Sequence, residues 1–149
     1  MTERATLLIG ALTHARKEWE ACKQLTTASY EYPTGTREEF LAQCRAGAFS
    51  GIYALYRSND SNKYTGNFDA ELLDALPASL KYICHNGAGY DNIDIAACTE
   101  RGIAVSSTPI AVNDATADIA IFLMLGALRN ITHSFQAVRQ GALRASRSI

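Results

Sequence analysis

The chain has 149 residues, of which 48% are hydrophobic and 19% charged, and its 14 basic and 15 acidic side chains leave a net charge of −1. This composition excludes a disordered chain, the length allows one core-forming domain with a modest appendage, and the even charge gives no electrostatic reason for a nucleic acid or an anionic membrane as partner. Cys22, Cys44, Cys84 and Cys98 are widely spaced with no Cys-x-x-Cys pair, so they read as reduced, mostly buried thiols rather than a disulfide frame or a metal site, and with no signal-peptide core after Glu3 and Arg4 a cytoplasmic location is expected.

Residues 5–12 are an uninterrupted apolar run that predicts a first buried strand. Thr13 then offers an N-cap, and Ala15, Trp19, Cys22 and Leu25 recur at helical spacing. Residues 28–32 predict a brief second strand, broken by Pro33 and Gly35. Thr36 with Glu39 forms a capping box for a helix that carries Phe40, Leu41 and Cys44 and stops at Gly47. Residues 52–56 predict a third strand, followed by Arg57-Ser58-Asn59-Asp60, a polar loop of the kind that carries function in open parallel sheets. A helix is expected over residues 67–76, with Asp69 near its start and Pro77 beyond its end.

The most informative stretch is residues 80–94. A buried strand stops at Asn86-Gly87-Ala88-Gly89, and a helical pattern begins after Asp91-Asn92. Two glycines around one small residue let the backbone approach a ligand closely, and a helix starting there would aim its unpaired N–H groups at the same spot. A carboxylate or phosphate suits that position. The helix carries Ile93, Ala96 and Ala97 inward and ends at Gly102, and residues 103–105 predict a fifth strand.

Strands alternating with helices through short connections predict an α/β fold, a doubly wound parallel sheet of about five strands whose ligand crevice lies at the C-terminal strand ends. Arg57, Ser58 and residues 86–90 all fall on that edge. From Asn113 and Asp114 a last helix is expected to run to about Gln140, apolar without interruption over residues 119–125. Only ten residues separate Asp118 from Arg129, which reads as too short a span for a bilayer. A helix apolar on every side has to be covered on every side, so a homodimer through residues 114–140 is expected.

Asn86-Gly87-Ala88-Gly89-Tyr90-Asp91-Asn92-Ile93-Asp94, then Arg101-Gly102-Ile103-Ala104-Val105 with Thr108-Pro109, then Ala115-Thr116-Ala117-Asp118 resemble, in order and spacing, the substrate-domain signature of the D-isomer-specific 2-hydroxyacid dehydrogenases, the glyoxylate and hydroxypyruvate reductases among them. The resemblance runs over residues 68–139, extends less firmly back to Met1 and stops after Gly141. It implies a flavodoxin-like substrate-binding domain over residues 1–110, an inter-domain and dimerisation helix over 111–141 and a tail over 142–149. It also implies backbone amides at residues 87–89 that grip a substrate carboxylate, and NAD or NADP as the full-length family's cofactor.

A dinucleotide site needs Gly-x-Gly-x-x-Gly after a strand. The only Gly-x-Gly here is Gly87-Ala88-Gly89, with Asn92 where a third glycine would fall. The family's catalytic arginine, glutamate and histidine have no matching positions, and none of His14, His85 or His133 substitutes for them. The expectation is a truncated chain with no cofactor site and no hydride transfer of its own. It would bind a small 2-hydroxy or 2-keto acid, or a related carbonyl compound, through Arg57, Ser58, Asn86, Gly87, Ala88, Gly89 and Tyr90, with no metal.

Structural alternatives stand beside each of these. Gly87-Ala88-Gly89 could be a tight turn only, Arg57 a solvated loop arginine, Asn86 a turn cap, Tyr90 a packing residue, His85 a satisfied core histidine, and Asp91 and Asn92 helix caps. Two other readings of the whole are a cofactor-independent isomerase, cyclase or lyase using the amides as an oxyanion hole, and a non-catalytic dimerisation or binding module.

Overall fold

The computed structural model describes residues 4–142. Five strands alternate with helices: β1 (Ala5–Ile9), α1 (Arg16–Lys23), β2 (Ser29–Tyr32), α2 (Arg37–Arg45), β3 (Ile52–Ser58), α3 (Asn62–Thr65), α4 (Ala70–Ala75), β4 (Tyr82–Asn86), α5 (Ile95–Glu100) and β5 (Ala104–Ser106). The strands form one parallel sheet in the order β2-β1-β3-β4-β5. This is the flavodoxin-like order, and its switch point lies between β1 and β3.

Local chemistry explains where the elements begin and end. The Thr36 and Glu39 capping box opens α2 as expected, and Gly47 follows its end at a positive φ of 76°. Asp69 accepts from the Leu72 N–H at the start of α4, and Asp94 does the same for Ala97 at the start of α5. Thr13 makes no cap: α1 starts at Arg16, after Ala15. β1 is buried on both faces, whereas β4 alternates, with Ile83 and His85 inside and Tyr82, Cys84 and Asn86 outside. Leu7, Ile9, Phe40, Ile52, Leu55, Phe68, Leu72, Leu80, Ile83 and Cys98 anchor one core. Only Cys44 and Cys98 are buried thiols, and Cys84 is exposed.

Two expected boundaries move in ways that matter for the site. β3 continues through Arg57 and Ser58, so these are strand residues and not loop. The helix expected directly after Asn92 starts only at Ile95, because residues 92–94 first pair with Phe68: its N–H donates to the Asn92 carbonyl, its carbonyl accepts from the Asp94 N–H, and Phe68 and Ile93 form a parallel bridge.

The chain divides into two compact units, residues 1–109 and 110–149. In the second, a short 3₁₀ turn (Ile110–Val112) leads into α6 (Asn113–Leu128), and α7 (Ile131–Arg139) follows. The single helix expected to about Gln140 is therefore two, broken where Asn130 takes a left-handed conformation with φ 46°, which asparagine tolerates better than most residues. None of the α6 residues is buried, and Ile119, Ile121, Phe122, Leu123, Met124, Leu125 and Leu128 are all exposed. Counted from Ile110 to Leu128 the segment has 19 residues and a mean hydropathy of 1.5. By length and composition alone it is long and apolar enough to cross a bilayer, contrary to the shorter count that starts at Asp118. The expected tail over 142–149 lies, apart from Ala142, outside the described residues.

Candidate functional site

β3 and β4 lie side by side in parallel register, with Arg57 opposite His85 and Ser58 opposite Asn86. This register brings the two sequence-predicted groups together at the C-terminal edge of the sheet, next to the switch point where ligands of such sheets sit.

Arg57 is wholly buried, and its guanidinium is spent inside the protein. Nε donates to Ser61 Oγ at 3.0 Å, one terminal nitrogen to Asn92 Oδ1 at 3.1 Å, and the other to the Ser58 carbonyl at 3.1 Å and Asn62 Oδ1 at 2.8 Å. The Phe68 ring lies against it, 4.8 Å from its centre. All four acceptors are neutral, and no carboxylate pairs with Arg57 among the described residues. Burial alone pushes its pKa down, to about 10, so the group remains a cation whose charge the surrounding protein does not cancel.

His85 is 2% exposed. Its Nε2 lies 2.9 Å from the Gly89 carbonyl, while its Nδ1 is buried without a partner among the described residues. Burial, with a smaller effect from the Arg57 charge, holds its pKa below the ordinary 6.5, against the opposing pull of the Gly89 carbonyl and Asp91. The imidazole is therefore neutral near pH 7 and unsuited to act as a solvent-facing base.

The turn itself is packed hard against the ring. A Cβ added to Gly87 would lie 2.5 Å from His85 Nε2 and 3.1 Å from Asn59 Nδ2, so glycine is required here by close approach rather than by a positive φ. The Gly87 carbonyl accepts from the Thr108 N–H at 2.9 Å, and the Tyr90 carbonyl from the Ile93 N–H at 3.0 Å. In contrast, the N–H groups of Ala88, Gly89 and Tyr90 donate to no group among the described residues. Three successive backbone donors on one turn are thus left without a protein acceptor among the described residues, which leaves them free to meet an anion or water.

The remaining predicted residues lie around this turn. Asn86 is exposed and donates to the Tyr56 hydroxyl at 2.8 Å. Ser58 offers its carbonyl to Arg57 and Ser61. Tyr90 is half exposed and lines an open groove of about 330 Å³ with Ile95, Thr99, Val105 and Ser107. A separate apolar pocket of about 240 Å³, between α1 and the sheet, is lined by Leu12, Trp19, Tyr56 and Cys84 and includes none of residues 86–90.

Sequence reasoning missed the asparagine frame. Asn92, read as a helix cap, accepts from Arg57 and donates to Asn59 at 3.1 Å, and Asn62 completes the guanidinium's set. The available signal was the recurrence of asparagine just after two adjacent strands, at positions 59, 62 and 92.

Comparison with known proteins bears directly on this geometry. The D-isomer specific 2-hydroxyacid dehydrogenase catalytic domain matches residues 11–147. The chain belongs to this family. Within it, the 4-methyl-2-oxopentanoate reductase A of Aspergillus oryzae is 60% identical over 92% of this chain and 41% of its own length. A crystal structure of a glyoxylate reductase from Paecilomyes thermophila is 57% identical, with a TM-score of 0.94 over all of this chain and 45% of that one. A D-mandelate dehydrogenase from Rhodotorula graminis is 26% identical, with a TM-score of 0.84 over 95% of this chain and 41% of that one. The chain thus spans less than half the length of these 2-hydroxyacid dehydrogenases. The match also extends past Gly141, where the sequence resemblance was expected to stop.

Members of the 2-hydroxyacid dehydrogenase family are NAD(P)-dependent, a Sinorhizobium meliloti glyoxylate/hydroxypyruvate reductase that uses NADPH among them. The described residues do not fit a dinucleotide at the Gly87-Ala88-Gly89 turn. The space beside Gly87 is filled by His85 and Asn59, and α5 begins only at Ile95 and has six residues.

Proposed function

We propose that residues 4–109 form the acid-gripping part of a 2-hydroxyacid dehydrogenase. In this reading the N–H groups of Ala88, Gly89 and Tyr90 hold the carboxylate of a small 2-hydroxy or 2-keto acid. The single observation that carries it is that run of unpaired amides on the strand edge beside the buried Arg57 cation. Arg57 contributes a positive field and the scaffold of the turn, and the amides make the contacts. Asn86 and Ser58 border the site, and Tyr90 walls it. The family match favours this reading over cofactor-independent isomerase, cyclase or lyase chemistry.

In the same reading, hydride transfer is supplied by a nucleotide-binding part outside these 149 residues, so this polypeptide alone binds the acid without reducing it. A second copy of the chain covers the apolar α6, which keeps the helix out of a membrane. The test is a titration of the ¹⁵N-labelled chain with oxamate, a non-reacting 2-oxo acid analogue. Saturable shifts of the Ala88, Gly89 and Tyr90 amides are expected, with no consumption of NADH when glyoxylate or 4-methyl-2-oxopentanoate is added. Oxamate shifts that bypass residues 88–90 would overturn the carboxylate site, and steady NADH oxidation would overturn the division of labour.

A further inference from the structure

We infer that His85, without touching the acid, sets the direction of the Tyr90 N–H and is therefore a positioning residue for carboxylate binding; this rests on the carboxylate reading of residues 88–90. A trans peptide unit is planar, with its C=O and N–H pointing opposite ways, and there is no cis bond among the described residues. The Gly89 carbonyl and the Tyr90 N–H belong to one such unit. His85 Nε2, 2.9 Å from the Gly89 oxygen, draws that carbonyl toward the buried side of β4. The Tyr90 N–H then faces away from the ring, toward the open edge.

The neighbouring unit is fixed differently. The Gly87 carbonyl is held by the Thr108 backbone N–H at 2.9 Å, which orients the Ala88 N–H by the same rule. Of the two outer donors of the clamp, one is thus set by backbone and the other by a single side chain. His85 is well placed for this task, since it is 2% exposed and the backbone at Gly87 lies against its ring. A carbonyl oxygen only accepts, so Nε2 must carry the proton. That leaves Nδ1 bare, which agrees with its lack of a donor or acceptor partner among the described residues.

The experiment compares His85→Gln, whose amide nitrogen reaches about as far as Nε2 and can donate, with His85→Leu, which fills the space without a donor. Oxamate titration of the ¹⁵N-labelled chains should show His85→Leu weakened about tenfold, the loss of roughly one hydrogen bond. Its Tyr90 amide shift should collapse while the Ala88 shift persists, and His85→Gln should restore both. His85→Leu binding oxamate like wild type, with the Tyr90 shift intact, would overturn the inference while leaving the carboxylate site standing. A long-range ¹H–¹⁵N spectrum of the imidazole in the ligand-free wild type decides independently of either variant's folding or of any acid binding. A proton on Nε2 is expected, and a proton on Nδ1 would overturn the assignment.

Discussion

At Gly87 an added Cβ has nowhere to go, because His85 and Asn59 occupy its place at 2.5 and 3.1 Å. Gly87→Ala is expected to push the turn outward, destabilising the chain by about 1–3 kcal/mol and abolishing the oxamate response, as read by urea unfolding and by titration. The buried His85 gives a pH dependence whose sign is fixed by its environment. Burial keeps the folded pKa below the ordinary 6.5 of the exposed ring, so between those two values the unfolded chain binds more protons than the folded one. Stability is therefore complete above pH 6.5 and declines as pH falls through the folded value. Urea midpoints at about pH 7.5 and about pH 5.5 should differ more for wild type than for His85→Gln, which has no proton to gain. An equal loss in both chains would assign the effect to other groups.

Among the elements, the joint between the end of β3 and the loop after β4 is the part of the fold that shapes the site. Arg57 ties the Ser58 carbonyl, Ser61 and Asn62 on one side to Asn92 on the other. Arg57→Leu would strip the buried Ser61 hydroxyl and the half-buried Asn62 and Asn92 oxygens of their donor, while the Ser58 carbonyl keeps Ser61, and a loss of about 2–4 kcal/mol is expected in chemical unfolding. Arg57→Lys should recover only part of it, since an ammonium cannot span the same set of acceptors. The sequence made some of this legible. The capping box at Thr36 and Glu39, and Asp69 at the head of its helix, were readable because they are settled within four residues. So was the alternation of strand and helix that dictates the parallel sheet. Arg57 is placed at the correct edge by the sequence, but as a loop side chain free to grip an acid or to meet solvent, because its actual partners lie up to 35 positions away. The start of α5 was misplaced for the same reason: the pairing of residues 92–94 with Phe68 is a tertiary contact with no local signature.

At the scale of the whole molecule, α6 dominates. A helix with exposed Phe122, Leu123, Met124 and Leu125 needs a cover that its own unit does not provide. Light scattering at micromolar concentration should give a dimer or larger. The double substitution Phe122→Asp with Leu125→Asp should give a monomer whose oxamate response at residues 88–90 is unchanged. A wild-type monomer would refute the second-copy cover, and recovery of the chain only with detergent or lipid would favour the bilayer that its 19-residue length permits. Sequence alone identified this helix from its composition but could not show the left-handed break at Asn130, where one residue's backbone conformation ends the run.

The uniform greasiness of α6 also bears on how the chain must be made. Translation delivers this rod after residues 4–109 have emerged, with its apolar side chains uncovered by its own unit. If a second copy is the cover, as proposed, each newly made chain is sticky until it meets one, and synthesis in a foreign host should yield inclusion bodies in proportion to the rate of production. Slower expression at low temperature, or the Asp-substituted helix, should rescue the soluble yield.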